Sequence, residues 1–122
     1  MYVRTIKITF KDKMSKNMFV NYTDTKADAE GFQNGTLMKT IFSDSNVIAT
    51  LVLFFPDHKT FMRYHNNTAS PIIDSFKEKG LKIELNDREV LGITAVSSNF
   101  LEFLTKEAPF IKLTSQILIR LL

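Results

Sequence analysis

Nine consecutive residues, Val47 to Phe55, read VIATLVLFF, with Thr50 the one polar interruption. A surface strand alternates apolar and polar residues, whereas a short run apolar at nearly every position is covered on both faces. The run therefore predicts a central strand, and it is far too short to span a bilayer as a helix. Everything else in the chain has to be arranged so as to cover it.

Two flanking segments have strand periodicity. Val3 to Phe10 alternates, with Arg4, Ile6, Ile8 and Phe10 on one side and Val3, Thr5, Lys7 and Thr9 on the other. Gly35 to Ser43 alternates again, and Asp44-Ser45-Asn46 is a turn cluster that joins it to the central strand as a hairpin. Leu81 to Leu85 is read as a minor strand, Asn86-Asp87 as a turn, and Glu89 to Val96 as the last strand.

Helical spacing fills the gaps. From Ser15 to Glu30, Met14, Met18, Tyr22, Thr25 and Ala29 recur on one face with Phe19 beside them. Ser15 is the expected cap and Gly31 the expected left-handed terminator. Asp57 is the cap of a second helix carrying Phe61, Met62, Tyr64 and His65. Asn66-Asn67-Thr68-Ala69 breaks its pattern, Ser70-Pro71 restarts it, and Gly80 ends it.

The order is β-α-β-β-α-β, which predicts an α+β, ferredoxin-like antiparallel sheet with helices on one face. Residues 1–97 form this domain, and 98–122 form a C-terminal helical extension. The extension is rich in large apolar residues. A helix is expected from near Asn99, with Glu102 in a capping box, a break at Pro109, and Ile111, Leu113, Ile117, Leu118, Leu121 and Leu122 beyond it. Packing on the domain or on a partner subunit is the expectation; a membrane-surface helix is the alternative, with only Lys112 and Arg120 to supply its charged face.

Composition removes several functions. There is no cysteine, hence no disulfide, thiolate nucleophile or cysteine-held metal. The formal charge of +3 is mild, and the early group Arg4, Lys7, Lys11, Lys13 and Lys16 reads as a solvated strand end or as a holder of phosphate or another anionic partner. RNA-recognition folds share this order of elements but need stacking aromatics at alternate positions of the third strand, which VIATLVLFF lacks, so no nucleic acid is expected. No signal peptide is visible at the start, and a cytoplasmic setting is expected. Among four glycines there is no phosphate-cradling loop.

Both histidines lie in PDHKTFMRYHNN. His65 is the candidate general base, because imidazole titrates near neutrality. Tyr64, Asn66 or Asn67 can hydrogen-bond a substrate oxygen. His58 lies in the first turn of its helix, where a cation opposes the helix dipole, so a neutral, solvent-facing ring is expected. Two histidines seven residues apart with no carboxylate pattern make a poor metal site, and none is expected. The competing reading makes His65 an ordinary surface histidine.

Four features resemble the dimeric α+β barrel superfamily, in particular the antibiotic biosynthesis monooxygenase-like domains. These are the turn at Glu30-Gly31-Phe32, the Val47–Phe55 strand leading into PDHKTFMRYH, the position of His65 and the Ser70-Pro71 restart. The resemblance covers about residues 2 to 96. It implies a homodimer whose sheets face each other, with a pocket between sheet and helices in each subunit. Some relatives oxidise polyphenols with O2 and no metal or flavin; others bind or degrade haem, using a tryptophan that this chain lacks. No cofactor is expected. The resemblance implies one of two functions: a cofactor-free monooxygenase-like enzyme acting on a small aromatic or apolar substrate, or a non-catalytic ligand-binding or assembly module.

Overall fold

The computed structural model describes residues 1–95, 97–103 and 106, and the chain divides into two compact units, Met1–Leu91 and Gly92–Leu122. The first is built on four antiparallel strands in the order β2-β3-β1-β4. These are β1 (Tyr2–Thr9), β2 (Met38–Ser43), β3 (Ile48–Phe55) and β4 (Lys82–Glu89). The apolar run is an interior strand, bonded on one side to β1 and on the other to β2. Ala49, Leu51, Leu53 and Phe55 are buried under the helices with Ile6, Ile8 and Phe10. Phe55 is fully buried, worth about 1.5–3 kcal/mol relative to exposure.

The other face of β3 differs from expectation. Ile48, Thr50, Val52 and Phe54 are only half-buried. The register places Met38 and Val3 beside Phe54, and Phe42 beside Thr50, on that same face. About half of the Met38 and Phe42 side chains is exposed. Within Met1–Leu91 the helices cover one side of the sheet.

The fourth strand is also read differently by the structure. Asn86 and Asp87 do not turn; they continue β4, opposite Thr5 and Arg4 of β1. Asp87 stays in the strand because its carboxylate pairs with Arg4 across the ladder. Residues 90–95 carry no strand.

Each helical arm is continuous and holds a five-residue π-helical turn. The first runs through α1 (Lys13–Tyr22), the turn Thr23–Ala27 and α2 (Asp28–Gln33). The second runs through α3 (His58–Tyr64), the turn His65–Ala69 and α4 (Ser70–Glu78). Asp57 caps the second arm as expected, accepting from the Thr60 N–H at 2.7 Å. The first is capped by Asp12, which accepts from Ser15 N–H at 2.7 Å, so Ser15 is inside the first turn and not its cap. Ser70 caps nothing either, because the chain is already helical through Ala69 and Ser70. Gly31 lies within α2; the left-handed residue beyond the arm is Gly35, at φ 100°. Gly80 fills that role for the second arm, as expected.

The buried stripe of the first arm runs through Lys16, Phe19 and Thr23, not through Met14 and Met18, which are 71% and 68% exposed. Phe19 sets this phase by packing on Phe10 and Phe76, with ring centroids 5.3 and 5.5 Å away. Lys16 can point inward with it because its ammonium donates to the Ser43 hydroxyl and the Ser45 carbonyl. A buried cation with such partners ties the helix to the β2–β3 hairpin.

In the second unit, α5 spans Ser97–Glu102, slightly earlier than the expected start near Asn99. Glu102 and Lys106 form an exposed ion pair at 3.7 Å, one helical turn apart. The expected break at Pro109 and the apolar positions from Ile111 to Leu122 lie outside the described residues. No described helix is long and apolar enough to cross a membrane.

Candidate functional site

Between the sheet and the two arms lies a cavity of about 70 Å³, several times what one water needs. Ile6, Leu51 and Leu53 form its floor; Phe19, Ile72 and Ile73 close it from the helices. Its polar lining is small: Thr23, Asp28, Thr36, Lys39 and Tyr64. Apolar walls with a few placed polar groups are the usual make-up of a small-molecule site.

Two of those groups neutralise each other. Lys39 Nζ lies 2.6 Å from Asp28 Oδ2 and 3.3 Å from Thr23 Oγ1. Thr23 in turn donates to the Val20 carbonyl at 2.8 Å. The pair exists because β2 turns Lys39 toward the helices while the first π-turn delivers Asp28 opposite. Thr36 is the exception: its hydroxyl oxygen is buried and has no hydrogen-bond partner. Leaving such a group unpaired costs about 1–3 kcal/mol.

Tyr64 reaches the cavity from the end of α3. Burial pushes its phenol up to about 12, with Asp28 adding to the shift and Arg4 opposing it. It is a hydrogen-bonding group at neutral pH and not a base. Gly31 lies beside Thr36 and Tyr64: a Cβ there would be in ordinary contact, 3.4 Å from Thr36 Oγ1 and 3.6 Å from Tyr64 Cε2.

His65, next in sequence, is not in the cavity lining. Its Nδ1 lies 2.9 Å from Nη1 of Arg4. A guanidinium can only donate, so Nδ1 accepts and the ring's own proton sits on Nε2. Arg4 is 2% exposed and grips Asp87 with two parallel bonds, Nε to Oδ1 at 2.8 Å and Nη2 to Oδ2 at 3.0 Å. Its guanidinium also sits 4.6 Å from the centre of the Phe61 ring. Burial and then the Arg4 charge hold the His65 imidazolium form down, against a smaller upward pull from Asp87 and Asp74. The ring is neutral at pH 7.

The expected site residues are therefore separated. Tyr64 is in the cavity, His65 is in the Arg4 cluster, and Asn66 is exposed. His58 is exposed and rests against Tyr2 at 5.0 Å. The Phe61 ring lies 6.0 Å from His58 and 6.2 Å from His65. Among the described residues no three metal-ligating side chains converge. Sequence reasoning missed Arg4, Asp87, Asp28, Lys39 and Thr36. For Arg4 a signal existed: it shares a strand face with Ile6, Ile8 and Phe10, where a charge requires a partner.

No sequence family profile matches the chain, and no curated protein matches it in sequence. Solved structures do match in fold. A dimeric ferredoxin-like protein from an uncultured marine organism superposes with a TM-score of 0.59 at 13% identity, over 79% of this chain and 100% of that one. A Deinococcus radiodurans protein named for antibiotic biosynthesis monooxygenases gives 0.65 at 10% identity, over 79% and 98%. SnoaB, a cofactor-independent oxygenase from Streptomyces nogalater, gives 0.55 at 12% identity, over 75% and 94%. The chain has the ferredoxin-like α+β fold shared by dimeric ferredoxin-like and antibiotic biosynthesis monooxygenase-like proteins.

Proposed function

We propose that this protein works as a homodimer that binds a small, largely apolar molecule in the cavity between sheet and helices. The observation that carries the reading is the orphaned Thr36 hydroxyl in a mostly apolar wall, a buried polar group that a ligand would satisfy. The dimer is supported by the half-open face of the sheet, where Met38, Phe42 and Phe54 stand together. Two of the fold neighbours are themselves described as dimeric.

Native mass spectrometry of freshly purified protein tests both parts. A dimer carrying a small adduct supports the reading. A bare monomer that takes up no small apolar compound on titration overturns it.

A catalytic form of the proposal is supported by the cofactor-independent oxygenase among the fold neighbours. There His65 acts as the base, and Tyr64 and Asn66 hold substrate oxygens. It requires the Arg4 contact to open, since Nδ1 is otherwise occupied. Oxygen uptake with a bound phenolic ligand, lost in a folded His65→Ala protein, is the expected result. Undiminished uptake in that variant removes His65 from the chemistry.

A further inference from the structure

Tyr64 and His65 are neighbours on the chain, yet one lines the cavity and the other is tied to the sheet. The tie has a locked side and a loose side. Arg4 is the locked side: it is buried, gripped twice by Asp87 and laid on the Phe61 ring. His65 is the loose side, half-buried and so within reach of protons from solvent, and it begins the π-turn His65–Ala69. Near the far end of that turn Asn34 Nδ2 donates to Thr68 Oγ1 at 2.9 Å, a bond between groups that do not titrate. We propose that His65 is an acid-sensitive latch: neutral, it holds the start of the second π-turn to β1 through Arg4, and protonated, it lets go, so that the turn and the Tyr64 side of the cavity wall open about Thr68.

The contact switches because of what each group can offer. Neutral imidazole accepts at Nδ1, whereas imidazolium carries a proton on both nitrogens and a guanidinium has no acceptor. At 2.9 Å, protonation turns a hydrogen bond into two donors and two positive charges face to face. Arg4 does not yield, because its two charge-assisted bonds to a carboxylate outweigh one bond to a neutral ring. The ring is the side that leaves. Asp87 of β4 and Asp74 of α4 also act on it and favour its charged form, but burial and Arg4 outweigh them. From α3 it faces the Phe61 ring; His58 is exposed and 6.0 Å from that same ring, and the Tyr64 phenol keeps its proton throughout. The docked ring is therefore neutral at pH 7, and the released ring is the better base. Release reaches the backbone directly, since the Ser70 N–H closes the π-turn on the His65 carbonyl.

Native-state hydrogen exchange of the full chain, at about pH 7.5 and about pH 5.5, reads the latch on either side of the ordinary histidine range. Protection factors remove the intrinsic pH dependence of exchange, and local openings are recognised by their indifference to low urea. Protection of the Ser70 N–H is expected to fall about tenfold, because each pH unit below ~6.5 raises the opening constant by up to about tenfold. The Asp28 N–H closes the first π-turn on the Thr23 carbonyl in the same way, with no histidine in that turn, and should hold its protection. In His65→Gln the side-chain carbonyl accepts from Arg4 at any pH, so the fall at Ser70 should vanish. Unchanged protection at Ser70 in the wild type overturns the latch. So does an equal fall at Asp28, or a fall carried only by urea-sensitive global opening. A fall that survives in folded His65→Gln belongs to another group and overturns it as well; the wild-type comparison of the two turns decides the matter without that variant.

An NMR titration of the wild-type ring supplies a second check. His65 should carry its neutral-form proton on Nε2 and titrate below the ordinary histidine midpoint; a ring that titrates at or above it is not held by Arg4, and the latch fails. The latch acts on the wall whatever the cavity holds, so its failure leaves the small-ligand reading standing, and a cavity that takes up nothing leaves the latch standing.

Discussion

Asp12 and Asp57 start the two helical arms in the same way, each accepting at 2.7 Å from the backbone N–H three residues on. Each arm then carries a π-turn of five residues, and beyond each lies a glycine in the left-handed region. From there the arms diverge. The first delivers Thr23 and Asp28 to the cavity wall, where Asp28 holds Lys39. The second delivers Tyr64 to the cavity but sends His65 to the Arg4–Asp87 pair. A π-turn inserts a residue into the helical count and rotates the helix C-terminal to it. In one arm that rotation serves a pocket; in the other it splits two adjacent side chains between a pocket and an ion cluster.

The sharpest way to break this comparison is at Arg4. Arg4→Met leaves Asp87 and His65 without their partner under the second arm and should cost about 3–5 kcal/mol, read as a shift in the urea midpoint. Lys39→Met breaks the corresponding pair of the first arm. It should cost less, because Lys39 is less deeply buried than Arg4 and its loss strands no histidine. Equal losses would mean that the two pairs are equally sealed.

The two glycines come next. A Cβ at Gly35 would overlap Thr60 Cγ2, whereas one at Gly80 meets nothing within 4 Å. Both sites demand a left-handed backbone, which costs an L-residue about 1–2 kcal/mol. Gly80→Ala should show that cost alone and Gly35→Ala the same cost plus the steric one, by denaturant melts. Equal effects would show that the second arm yields at Thr60.

Acid should distinguish the arms more gently. The folded state holds the His65 imidazolium form down, so the unfolded chain takes up the proton first. Stability that is full above pH ~6.5 is therefore lost as the pH falls below that value, until the folded ring also titrates. His65→Gln should flatten that slope. A slope that survives the substitution places its origin elsewhere. The smallest effects are expected at the caps, where Asp12→Ala and Asp57→Ala should lower the melting temperature by equal amounts. Unequal shifts would show that one arm depends on its first turn more than the other.

The strands are legible in the sequence because their period survives unbroken. Arg4, Ile6, Ile8 and Phe10 share the face on which alternation puts them. The arms are not: Met14 and Met18 already lie on the exposed side of α1, whose buried side holds Lys16 and Phe19, and the π-turn shifts the count again before Ala29. Thr23 is satisfied within the arm by the Val20 carbonyl, whereas Lys16 is inside for a further reason: its partners, Ser43 and Ser45, satisfy it only once the arm is docked. The same holds for β4, where Asn86-Asp87 has turn chemistry until Arg4 is placed opposite. Of the cavity, Tyr64 and Gly31 stand out in sequence. Thr36, Lys39 and Asp28 become a site only through register, which local pattern does not encode.

The half-open sheet face bears on how the protein responds to dilution. An apolar face shared by Met38, Phe42, Val52 and Phe54 is sealed only by association if the homodimer proposal holds. Folding and assembly would then be one equilibrium, set by mass action as much as by sequence. Each tenfold dilution would remove about 1.4 kcal/mol from the dimer's advantage over separate chains, so protein concentration itself would act as a stabiliser.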